Sequence, residues 1–397
     1  MAGADRADFI RKPVIVQHAH LRRGEMAYCP QCKTQLAAGL AFCTECGAAV
    51  GAAAKEEPEQ SSHHSSIQSV SDSITEKLGL EKIDQFSLSK FFSEVFSKHN
   101  PDEVERLLSV GTPDTTPPPS ASMGIMPNPW IFFRVLCGTI VAYLIFVYAW
   151  NTYNNPNMVP GLIVIGSLAV PFSIVILFFE LNTPKNISIL KIVQLVMIGG
   201  ALSLLLSLIL FSNAAFLVST FGASSAGIIE EIGKLAALLF VMRNVNVDRY
   251  RYRLNALLLG AAIGAGFAAF ESAGYAFRVG LQSGSSAMLD VILLRGVLAP
   301  FMHIAWTSIA ASAFWIARPQ YKTTFKTLQS TQFLKVFAIP VVLHFIWNYR
   351  LPFELNVFIK AGILGFIAWV VIISLVQSGL REMSRLPLTE GSGETAS

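Results

Sequence analysis

Glu230, Glu231 and Lys234 stand in the run Glu230-Glu231-Ile232-Gly233-Lys234, inside a stretch that otherwise belongs in lipid. Charged side chains at bilayer depth are costly, so an acidic pair there marks a functional site by default. Polar groups recur in three further apolar blocks. Glu271 lies four residues after Phe267, His303 lies within Pro300-Phe301-Met302-His303-Ile304-Ala305-Trp306-Thr307, and His344 is followed one turn later by Asn348. Lys234 is i+4 from Glu230 and i+3 from Glu231, so it can neutralise one carboxylate and leave the other for chemistry. This set suits hydrolysis in two versions. A carboxylate can take a proton from water while His and Asn stabilise the developing oxyanion, or His and Glu can hold a zinc ion that activates the water.

The elements that position these groups follow from composition. Of 397 residues 53% are hydrophobic and only 14% charged, against about a quarter charged in a soluble domain. The apolar blocks run from Trp130 to Gln377, so the fold class is an all-α polytopic membrane protein with a polar N-terminal extension. Eight transmembrane spans are expected, near 130–150, 160–180, 189–212, 214–242, 255–279, 287–317, 333–351 and 355–377. The loops after the second, fourth and sixth spans carry Lys185, then Arg249, Arg251 and Arg253, then Arg318, Lys322 and Lys326, whereas those after the first and third carry none. That bias places both termini, including the tail 381–397, in the cytoplasm, with the chain integral to the cytoplasmic membrane. At about 1.5 Å per residue, Glu230, Glu271, His303 and His344 each fall roughly 16–24 Å from the cytoplasmic end of their span. Four independent spans match in depth when their polar groups face one another. Gly260, Gly264 and Gly266, ahead of Glu271, are expected to let helices pack closely and to leave space beside the carboxylate. Arg295 and Arg134 read as interfacial anchors or members of local ion pairs.

Ahead of the spans, Cys29-Pro-Gln-Cys32 and Cys43-Thr-Glu-Cys46 supply four thiolates at the spacing of a structural zinc ribbon over 26–50. Residues 1–25 read as an unstructured leader with no secretory signal, Met26 being an alternative start. A flexible linker is expected over 51–77, a juxtamembrane helical segment over 78–110 and a Pro-rich linker over 111–129. In the juxtamembrane segment, Ser89–Lys98 places Phe91, Phe92, Val95 and Phe96 on one helical face. Asn100-Pro101-Asp102-Glu103 has the N-cap, first-turn proline and acids of a helix start. The net charge of +4 gives no reason to expect nucleic acid. The ribbon fits a cytosolic protein partner and the spans fit a membrane-anchored protein substrate. A non-enzymatic sensor or scaffold built around the ribbon is the competing reading. A proton-coupled transporter lacks any visible inverted repeat.

The ordered set Glu230-Glu231-Ile232-Gly233-Lys234, Phe267-Ala268-Ala269-Phe270-Glu271, His303 and His344 resembles the PrsW family of intramembrane proteases, related to the CAAX prenyl endopeptidases and bacteriocin-immunity proteins. The likeness covers roughly residues 130–377. Lysine at 234 rather than arginine, and glutamate at 271 rather than histidine, point to PrsW rather than to prenyl-protein processing. No His-Glu-x-x-His, Gly-x-Gly-Asp or Gly-x-Ser-Gly sequence is present. The resemblance implies an endopeptidase for membrane-anchored proteins such as anti-sigma factors. In it Glu230 and Glu231 supply the base and Glu271, His303 and His344 complete the site.

Overall fold

A computed structural model of the chain describes residues 27–28, 35–36, 66–81, 86–243, 249–318, 325–351 and 355–385. The chain divides into two units, 1–63 and 64–397. In the first, strands β1 (Ala27–Tyr28) and β2 (Gln35–Leu36) pair antiparallel. The four ribbon cysteines lie outside the described residues, as does the leader 1–25.

The second unit is helical. Before the membrane segment come α1 (Ser66–Lys77), α2 (Leu88–Phe91) and α3 (Pro101–Leu108). Residues 66–77, expected within a linker, are therefore helix. The apolar and small face of α1 finds a partner: Ser71 Oγ lies 3.2 Å from Ser374 Oγ, and Gln377 Nε2 donates to Ser71 Oγ at 3.4 Å. The helix expected over Ser89–Lys98 is only one turn long, and Phe96 is left 86% exposed while Phe91 is buried. His99 explains part of the difference, because it bonds Glu103 and stacks on Trp130 at 3.6 Å between ring centroids. Helix α3 begins as its sequence requires, with Asn100 Oδ1 accepting from the Asp102 amide at 3.1 Å. The Pro-rich segment is also tied down: Ser122 Oγ donates to the Thr183 carbonyl at 2.9 Å, and the Arg249 guanidinium donates to the Gly111 carbonyl.

The membrane helices follow. They are α4 (Ile131–Tyr153), α5 (Met158–Leu181), α6 (Ile189–Gln194) continuing through a π turn into α7 (Gly200–Asn213), α8 (Ala215–Phe221) and α9 (Ala226–Met242). Then come α10 (Arg253–Leu298), α11 (His303–Ala317), the short α12 (Phe325–Leu328), α13 (Thr331–Asn348) and α14 (Val357–Ser384). Six stretches among the described residues are long and apolar enough to span a bilayer. The count differs from the expected eight for two reasons. Gly222 (φ 56) splits 214–242 into two helices that are each shorter than a span. The fifth and sixth expected spans join in one helical stretch, 253–317, interrupted at Gly284 (φ 86) and again at 299–302.

Buried side-chain networks fix the ends of this bundle. Glu180, at the end of α5, accepts from the amides of Trp130, Ile131 and Phe132 at 2.7–2.9 Å. It thereby caps α4, whose own N-cap residue Trp130 has no side-chain oxygen to offer. Asn255 donates to Asn182 and Asn186 at 2.7 Å each, tying the start of α10 to the turn after α5.

Candidate active site

Close helix approach comes first. Gly227 on α9 meets the backbone of Phe345 on α13, and a Cβ on Gly264 of α10 would sit 2.5 Å from the His303 carbonyl. Both contacts need a residue without a side chain, and both set helices that carry site residues against each other. Gly260 and Gly266 are likewise packed against neighbouring backbone, on α11 and on the π turn. These three α10 glycines therefore close contacts and do not open space beside Glu271. Gly274, one turn beyond Glu271, faces open space instead.

On the frame they set, α9 delivers Glu230, Glu231 and Lys234, α10 delivers Glu271, α11 delivers His303 and α13 delivers His344 and Asn348. His303 is the first residue of α11, directly after the turn Ala299–Phe301 and the non-helical Met302. The sequence suggested an unbroken helix there. Irregular backbone at membrane depth is tolerated where protein buries it or where it lines a cavity, and Met302 and His303 do both.

The charge partners are unequal. Lys234 Nζ lies 2.6 Å from Glu231 Oε1 and 4.0 Å from Glu230 Oε2, with both Glu231 and Lys234 fully buried. Of the two acids that Lys234 could serve, Glu231 is the one it holds. The same ammonium reaches His303 Nδ1 at 3.0 Å and lies 4.5 Å from the centre of the Phe267 ring. Glu271 is held by the Arg295 guanidinium, which also donates to Ser272 Oγ at 2.8 Å and packs on Tyr275. Arg295 is thus a member of the site's ion pairs. Arg134, by contrast, donates to the Ser97 carbonyl and packs on Trp130.

Each imidazole is held by a carboxylate on one nitrogen and faces Glu230 with the other. His344 Nδ1 lies 2.8 Å from Glu231 Oε1, and His303 Nε2 lies 3.0 Å from Glu271 Oε2. A carboxylate paired with a cation accepts, so the ring nitrogen facing it carries the proton. The other nitrogens, His344 Nε2 and His303 Nδ1, lie 3.8 and 4.0 Å from Glu230 Oε2, and His303 Nδ1 also accepts from the Lys234 ammonium at 3.0 Å. That oxygen is buried and has no hydrogen-bond partner. Donor atoms of Glu230, His303 and His344 all lie within 4.8 Å of one another, a spacing that one metal ion can span. The residues fit such an ion: one carboxylate and two imidazoles make a three-ligand set with room for a fourth position. Their outer nitrogens are oriented by carboxylates, as metal-binding histidines commonly are.

Glu230, Glu271, His303, His344 and Asn348 line one cavity of about 410 Å³, while Glu231 and Lys234 stand behind it. All seven residues singled out from the sequence therefore come to one place. Trp306 was quoted only as part of a motif. It is fully buried and stacks on His344 at 4.4 Å between ring centroids. Its position one turn after His303 was the signal available for it.

The model of the PrsW family of intramembrane metalloproteases matches residues 188–376, which include every residue of this site. Comparison with curated proteins found no match, and comparison with solved structures found none either. The helices are those of a multi-pass membrane protein, and over residues 188–376 the chain belongs to the PrsW family, which makes it an intramembrane peptidase.

Proposed function

We propose that this peptidase hydrolyses membrane-anchored proteins, of which anti-sigma factors are one class, at the bilayer depth of Glu230, and that Glu230, His303 and His344 bind a divalent metal ion. The observation that supports the metal is the grouping of donor atoms of Glu230, His303 and His344 within 4.8 Å of one another, with Glu230 Oε2 buried and without a hydrogen-bond partner. Such an ion, when bound, supplies a Lewis acid that activates water and polarises the scissile carbonyl. An oxyanion site built on His344 would instead need a proton on Nε2, and Glu231 draws that proton to Nδ1. Other donors that line the cavity include Ser225, Tyr275, Arg295 and Asn348, with the ammonium of Lys234 behind it. Glu231 and Glu271 fix the ring tautomers, and Lys234 and Arg295 pair with those carboxylates.

In detergent, the full chain is expected to cleave a single-span reporter, and Glu230→Gln and His303→Ala to lose that cleavage. Undiminished cleavage in both variants would overturn the reading. Metal content separates the roles of Glu230. Loss of metal in Glu230→Gln marks a ligand, whereas metal retained with activity lost makes Glu230 the proton acceptor for water.

The positive-inside bias supports insertion in the cytoplasmic membrane with both termini in the cytoplasm. The two Cys-x-x-Cys pairs support a structural zinc in 26–50 and a cytosolic protein partner for that module. Replacing Cys29, Cys32, Cys43 and Cys46 together with Ser should remove one zinc per chain, and an unchanged zinc content would exclude the ribbon.

A further inference from the structure

A second recess lies beside the site, between α7 and α10. Glu230 and Glu271 line it as they line the first cavity, and so do Phe211 and Tyr275, so the two spaces adjoin at the carboxylates. Its volume is about 370 Å³. Beyond the carboxylates its walls are largely apolar: Leu204, Leu208 and Phe211 from α7 face Phe267 and Phe270 from α10, and the Ser207 hydroxyl among them donates to the Ser203 carbonyl at 2.8 Å. Arg278 closes the rim, packed against Tyr275 at 4.7 Å.

Gly274 sits in this wall. It lies three residues after Glu271, hence on the same helical face and one turn from the carboxylate. A Cβ there would meet nothing within 4 Å, unlike the packed glycines earlier in the same helix. A glycine inside a helix costs about 1 kcal/mol relative to alanine, and helix packing does not require this one. What it provides is room beside Glu271.

We propose that this recess is the subsite for one large apolar side chain of the substrate, next to the scissile bond, and that Gly274 sets its size. The inference rests on the peptidase reading of the same site and names what that site selects. The occupant follows from the position of the recess beside the carboxylates and from its aromatic and leucine walls. Away from the carboxylates a polar side chain would lose its hydrogen bonds, and Arg278 in the wall disfavours a basic one. A branched or aromatic residue fills the space, and alanine leaves it largely empty.

The test uses the full chain in detergent and a panel of single-span reporter peptides that differ at one position: Ala, Val, Leu or Phe. Wild type should prefer Phe or Leu over Ala beside the cut, read by mass spectrometry of the products. Gly274→Leu should reverse this, lowering cleavage of the Phe peptide at least tenfold while keeping the Ala peptide within about threefold. A methylene or two in an apolar pocket is worth about 10–200-fold in discrimination. Equal loss on both peptides, or no change in preference, would overturn the subsite. A second measurement does not depend on turnover. In Glu230→Gln, a peptide carrying a photoreactive phenylalanine analogue at the varied position should crosslink to residues 204–211 or 267–278, and Gly274→Leu should abolish that crosslink. Crosslinking elsewhere, or unaffected by Gly274→Leu, sinks the subsite. Absence of cleavage of every peptide by wild type, with the crosslink present, overturns the peptidase reading and leaves the apolar subsite standing.

Discussion

Glu231 Oε1 receives His344 Nδ1 at 2.8 Å while the same oxygen takes Lys234 Nζ at 2.6 Å. One carboxylate oxygen therefore orients an imidazole on one helix and neutralises a cation on its own. That double use makes Glu231 a positioning residue and leaves Glu230 facing the cavity. The two adjacent acids, indistinguishable by type, should respond differently to the same substitution.

Glu230→Gln is expected to lower kcat at least 100-fold with little change in unfolding temperature, because Glu230 Oε2 has no hydrogen-bond partner to lose. Glu231→Gln should lower both, since it leaves Lys234 buried without its counter-charge. Activity and thermal unfolding of the two variants, measured side by side, check the contrast.

Lys234→Met removes the cation from a fully buried pair. Breaking such a pair costs about 3–5 kcal/mol because the remaining charge is uncompensated. The double variant Lys234→Met/Glu231→Gln should recover much of that loss, because it removes both charges. A denaturant unfolding series in detergent reads the recovery.

With the four ribbon cysteines replaced by Ser, metal that stays with the protein belongs to the membrane domain. His303→Ala or His344→Ala in that background should release it. Glu271→Gln, which alters the carboxylate behind His303 and its pair with Arg295 while leaving the three proposed ligands in place, should weaken metal affinity by about 10–100-fold. Titration of the chelated protein with zinc, followed calorimetrically, gives the three affinities.

Truncation distinguishes the two units. Removing residues 1–63 should leave the unfolding temperature of the remaining chain within a few degrees, because that cut falls at the boundary between units. Removing residues 1–80 strips α1 from α14 and breaks the Ser71–Ser374 and Gln377–Ser71 contacts. That longer truncation should lower the unfolding temperature further, as scanning fluorimetry would show.

Much of this protein was legible before any coordinates. Apolar runs of sufficient length determined that the chain is a helical membrane protein, since a bilayer accepts little else. The rarity of charge inside those runs singled out Glu230, Glu231, Lys234, Glu271, His303 and His344, and helical spacing placed Lys234 within reach of both neighbouring acids. Spacing could not choose between those acids, because i+3 and i+4 are equally accessible on one helix. The choice was made by His344, which arrives on α13, 113 residues away, and binds the same oxygen of Glu231 as the lysine. The broken helix at His303 was invisible for a similar reason. Pro300 hinted at it, but the apolar content on both sides reads the same whether the helix is whole or interrupted. Glycine roles also needed the fold: Gly264 and Gly274 look alike in sequence, yet one meets the His303 carbonyl and the other open space. Residue types determined which chemistry the chain could perform. Which atoms face one another, and which carboxylate is left to act, was decided by contacts between helices far apart in the chain, whose partners no local pattern encodes.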